Sequence, residues 1–97
     1  MLTRILFELQ HRANKQPTVT QRARLSGGLI IEVAVTNNGT KLRLAREKQV
    51  PSNQEFRTIL NHWPGIVDPK EIMRSRSGSM NYIDAVIVES PIAENPE

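Results

Sequence analysis

One feature constrains this chain more than any other. Two alternating runs, Leu29 to Val35 and Lys41 to Arg46, flank Asn38-Gly39. Asn-Gly between alternating segments is the strongest short-range signal for a hairpin, because a type I′ turn needs positive φ at both central residues. Side chains alternate across a strand, so the register decides which of them share a face. A two-residue turn at Asn38-Gly39 predicts Val35 opposite Leu42 and Val33 opposite Leu44. A three-residue turn over Ser26-Gly27-Gly28 adds a strand from residues 18–25. It sets Leu25 opposite Leu29, Ala23 opposite Ile31 and Val19 opposite Val35. Every such pair puts apolar on apolar. A slip of one residue would turn the whole set to the other face.

Helices flank this meander. Leu2, Ile5, Leu6 and Leu9 recur at helical spacing, Ala13 extends the stripe, and Asn14 and Pro17 mark its end. Phe7 stands off the stripe. Pro51-Ser52-Asn53-Gln54-Glu55 opens a second helix with the pattern of a capping box. Phe56, Ile59, Leu60 and Trp63 form its apolar stripe, and Pro64-Gly65 stops it. Asp68-Pro69 predicts a short helical turn reaching Met73, and residues 74–80 read as a loop. Residues 82–88 form a strand that is apolar on both sides except at Asp84, which requires it to be central or covered. The expected fold is α+β in the order α-β-β-β-α-β. It has an antiparallel sheet of three to four strands and two main helices on one face. One domain over residues 1–90 and a flexible tail over 91–97 complete the expectation.

Composition narrows the function. The 97 residues contain no cysteine, which removes disulfides, thiolate metal sites and cysteine nucleophiles. No run approaches eighteen apolar residues, so no membrane span is expected. The first residues lack a basic region followed by an apolar run, and a cytoplasmic location is expected. His11 and His62 show no metal-ligand spacing and sit where helix ends accommodate imidazole. No serine occupies a nucleophile elbow, and Gly27-Gly28 lacks the Lys-Ser/Thr of a phosphate loop. The expectation is a protein that is not an enzyme and needs no cofactor or metal.

Charge is uneven. Residues 1–50 carry nine basic and three acidic residues, leaving +6, while residues 51–97 carry four and seven, leaving −3. If Val33, Val35, Leu42 and Leu44 face the helices, then Arg22, Arg24, Lys41 and Arg43 share the other side, with Glu32 among them. Such a face suits nucleic acid or another polyanion, including an acidic protein surface. A solvated face with Arg–Glu cross-strand pairs looks the same in sequence. The absence of an aromatic there argues against base stacking. Arg46 falls on the inner-face parity opposite Ile31, where it would snorkel outward, pair with Glu47 or mark the core rim. Residues 74–79 read as a connector rather than a phosphate site. The competing expectation is a structural or protein–protein interaction module, a homodimer, using as its interface either the off-stripe Phe7 or the two-faced apolar strand from Tyr82 to Val88, because a short chain with four aromatics builds a thin core.

Overall fold

A computed structural model describes residues 1–37, 39–64 and 81–87 in full and residues 72–76 as backbone. The fold is α+β, with an antiparallel sheet and two helices on one side of it. The elements are α1 (Leu2–Lys15), β1 (Gln21–Arg24), β2 (Ile30–Thr36), β3 (Gly39–Ala45), α2 (Asn53–Asn61), β4 (Ile72–Arg76) and β5 (Tyr82–Ile87). All pairings are antiparallel, and the strand order is β1-β2-β3-β5-β4.

The four expected strands are present, and β4 makes a fifth at the sheet edge. It occupies residues expected as the end of a helical turn (Met73) and the start of a loop (Arg74). Its sequence, IMRSR, lacks apolar alternation, so nothing local marks it as a strand. Pairing along β5 makes it one, and an edge strand tolerates charged residues that a central strand would not. Residues 65–71, 77–80 and 88–97, including the expected tail, the rest of the helical turn and loop, and Val88, lie outside the described residues. β5 runs between β3 and β4; Ile83, Ala85 and Ile87 are buried on its inner side, while Tyr82, Asp84 and Val86 on its outer side stay partly exposed.

The β1–β2 register is the expected one, with Ala23 opposite Ile31 and Arg22 opposite Glu32. The Ser26–Gly28 connection is a tight turn that uses left-handed backbone at both glycines, closed by Leu25 N–H donating to Leu29 O at 2.7 Å. Val19 is a correction. It precedes β1, is about half exposed and has no partner in β2.

The β2–β3 register is a second correction. Thr36 pairs with Gly39, so residues 37 and 38 make the connection rather than Asn38-Gly39. Val33 therefore faces Leu42, Ile31 faces Leu44, and Val35 faces Thr40. Gly39 enters the strand at φ +119°, a conformation that favours glycine. Thr36 Oγ1 donates to Gly39 O at 2.8 Å and closes the ladder there. The shift is two residues. An even shift returns every side chain to its own face, so the segregation of faces is unaffected.

The core lies between the sheet and the helices. Leu6, Leu9 and Ala13 of α1 cluster with Ile31, Val33, Leu42, Leu44, Ile83, Ala85 and Ile87 of the inner sheet face, and Leu29, Phe56, Ile59 and Trp63 complete the core. The capping box of α2 is formed: Glu55 N–H donates to Ser52 Oγ at 3.1 Å, and Ser52 N–H donates to Glu55 Oε1 at 3.0 Å.

Candidate interaction face

Because α1 and α2 pack on the inner face, the side chains of opposite parity point away from both helices. Register arranges them in three rows across the strands. The central row is Arg22, Glu32, Arg43 and Asp84, each directly opposite the next. One flanking row is Arg24, Ile30, Ala45 and Tyr82, and the other is Ala34, Lys41 and Val86.

The central row alternates in sign, and its neighbours touch. Arg22 Nη2 lies 3.0 Å from Glu32 Oε2, Arg43 Nη1 lies 3.8 Å from Glu32 Oε1, and Arg43 Nε donates to Asp84 Oδ1 at 2.8 Å. The Arg43 guanidinium also lies over the Tyr82 ring, 4.2 Å from its centroid, a cation–π contact. Its hydrogen bond to Asp84 pushes the Arg43 pKa up, against partial burial, with the charges of Asp84 and Glu32 adding to the effect. Exposure alternates along the row, higher at each arginine than at the carboxylates beside it. The Arg22 side chain is 67% exposed and Arg43 36%, while Glu32 and Asp84 are 18% and 13%. The arginines are the more exposed members of the row, and both carboxylates remain partly exposed beside them.

All four basic residues expected on one face are there, but they are not equivalent. Arg22 and Arg43 have carboxylate partners. Among the described residues, Arg24 and Lys41 have no ion pair. Lys41 and Arg43, with Thr20, Glu32 and Ala34, line a shallow depression of about 130 Å³. A wider groove of about 830 Å³ lies at the end of the sheet, where Arg24, Gly27 and Gly28 meet residues 46–49. Gly27 and Gly28 both take φ +81°, and both face open space.

The two alternative interface candidates lie on opposite sides of the molecule. Phe7 lies on α1, half-buried and stacked on His11 with ring centroids 5.9 Å apart. Tyr82 lies across the sheet from that helix, against the Arg43 guanidinium, and this corrects the expectation that the basic face carries no aromatic. Arg46 does not face Ile31 or pair with Glu47. Its two terminal nitrogens donate to the two carboxylate oxygens of Glu55, at 2.9 and 2.7 Å. His62 Nδ1 donates to the Thr58 carbonyl at 2.9 Å. Among the described residues, no three His, Asp or Glu side chains are grouped to hold a metal ion, and no helix is long and apolar enough to cross a membrane.

Sequence reasoning missed Asp84 as the partner of Arg43. The signal was available, since Asp84 is the lone charge in an otherwise apolar strand. Only the position of β5 beside β3 turns that signal into a pair. Compared with protein-family models, with curated proteins and with solved structures, the chain matches none.

Proposed function

We propose that this protein is a non-catalytic binding module that docks another protein surface through the outer face of its sheet. The alternating row Arg22–Glu32–Arg43–Asp84 carries this reading. A phosphate backbone presents closely spaced negative charge and rewards free cations by counterion release. Here two of the four cations already hold carboxylates of their own chain. The flanking rows supply Ile30, Ala45, Tyr82, Ala34 and Val86, which suit a protein interface with apolar contact around charged anchors. The cysteine-free composition is in keeping with a reducing cytoplasm.

A second reading rests on the groove beside Arg24, where Lys48 and the exposed backbone of Gly27 and Gly28 offer a polyanion a basic edge. Fluorescence anisotropy with single-stranded and duplex oligonucleotides at about 50 mM salt separates the two. We expect no saturable binding at micromolar protein. Micromolar binding that weakens steeply with salt, and is lost in the Arg24→Glu, Lys48→Glu variant, would move the function to polyanions.

A further inference from the structure

We infer that the partner taken by the outer sheet face is a second copy of this chain, packed face to face about a two-fold axis that runs along the strands between β2 and β3. The inference rests on the protein-docking reading above. It follows from the order of charges in the central row, which reads plus, minus, plus, minus from β1 through β5.

Stacking two copies of such a row gives different results for different axes. A two-fold axis parallel to the strands reverses the row. Centred between β2 and β3, it sets Arg22 over the partner's Asp84 and Glu32 over the partner's Arg43. All four contacts are then between opposite charges. Moved by half a strand spacing onto β2, the same axis sets Glu32 over itself and Arg22 over the partner's Arg43. An axis along the row instead sets every residue over its own copy. Like charges in direct opposition disfavour both of those arrangements. Axes between β1 and β2 or between β3 and β5 also oppose unlike charges but make two such contacts where the axis between β2 and β3 makes four, so the latter is favoured, and it keeps the strands of the two sheets aligned, the common way for sheets to pack about 10 Å apart.

The flanking rows fit the same axis. Ile30 comes to lie over the partner's Ala45, and Lys41 over the partner's Ala34, so a large side chain meets a small one in both rows. Arg24 comes to lie over the partner's Tyr82, giving that cation an aromatic face. Arg22 uses one terminal nitrogen on Glu32 and has further donors to offer a second carboxylate. A row that is its own charge complement under reversal identifies a second copy more directly than any unrelated surface, because a C2 interface must be self-complementary.

Charge exchange provides the test, on the full chain. Exchanging the β1 and β2 charges, as Arg22→Glu with Glu32→Arg, changes the row to minus, plus, plus, minus. Exchanging the other two, as Arg43→Glu with Asp84→Arg, gives plus, minus, minus, plus. Each variant retains ion pairs within its own chain but meets a copy of itself with like charges at all four positions. The two variants are complementary to each other. Light scattering should show a dimer for the wild-type chain, dimerisation weakened by about tenfold or more in each variant alone, and recovery when they are mixed. A wild-type chain that remains monomeric up to about 1 mM overturns the inference. So does a variant that dimerises as well as the wild type.

A cross-link covers the case in which a variant fails to fold. The chain has no cysteine, so in Ala34→Cys a short bis-maleimide can report only on position 34. Covalent dimer should form in that variant and not in Glu8→Cys on α1. The reverse result, or no dimer in either, sinks the proposed packing. A monomer that also ignores oligonucleotides removes the second copy as partner and leaves the docking reading standing. Oligonucleotide binding removes the docking reading itself.

Discussion

At the scale of single residues, the least expected feature is a buried amide. Gln10 of α1 is 1% exposed, and its Nε2 donates to Thr40 Oγ1 at 2.9 Å within the core layer. Gln10 Oε1 is buried and has no hydrogen-bond partner. A polar residue next to the apolar stripe of α1 reads from sequence as solvent-facing. It is covered because Thr40, pulled into the inner face opposite Val35, supplies a partner there. Burying a polar group without its bond costs more than the bond itself gains, so the pair responds asymmetrically to mutation. Thr40→Val alone should destabilise the protein by about 1–3 kcal/mol, since it strands the whole amide. Thr40→Val combined with Gln10→Leu should recover that loss or exceed it. Urea unfolding of the three chains checks this. A double variant as unstable as the single one would show that shape, rather than hydrogen bonding, governs the site.

At the scale of elements, capping and pairing show how local rules acquire distant partners. The capping box at Ser52 and Glu55 is legible because both residues lie within one turn. The same Glu55 carboxylate also receives the Arg46 guanidinium, joining the end of β3 to the start of α2. That contact spans the chain bend at residues 47–51, which no periodic pattern describes. The Arg46 hydrogen bond, backed by Ser52 N–H, holds the Glu55 carboxyl below its ordinary value of 4.5. A carboxylate whose pKa is lower folded than unfolded adds stability above its unfolded value. The contribution fades as pH falls through the folded one. The stability gap between wild type and Glu55→Gln should thus be constant at neutral pH and close as pH drops below about 4.5. Unfolding curves across the acid range measure it, and a gap unchanged in acid would contradict the assignment. The hairpin carries a related lesson. Face segregation follows from alternation alone, but the turn lies one residue earlier than Asn-Gly suggests, because Gly39 is used at the strand entrance instead of within the turn.

At the scale of the molecule, the two sides of the sheet have opposite chemistry. The inner side is apolar and sealed by the helices. The outer side carries an ion-pair row bounded by apolar and basic rows. A domain of this size is stable by only about 5–15 kcal/mol, so association that binds only the folded form contributes visibly. If the outer face joins two copies, the melting temperature should rise with protein concentration over about a hundredfold range. A melting temperature that does not change across that range counts against association in solution.

By itself the sequence determined how the strand residues divide between the two sides of the sheet. Period-two alternation, helical stripes, a capping box and turn residues act between near neighbours and are set before any tertiary contact forms. The tertiary structure alone decided who stands beside whom. Placing β5 between β3 and β4 gave Arg43 its Asp84, drew a strand out of IMRSR, and completed the row of alternating charge. Strand order is a matter of long-range pairing, whose energies depend on segments tens of residues apart, and no local pattern carries that information.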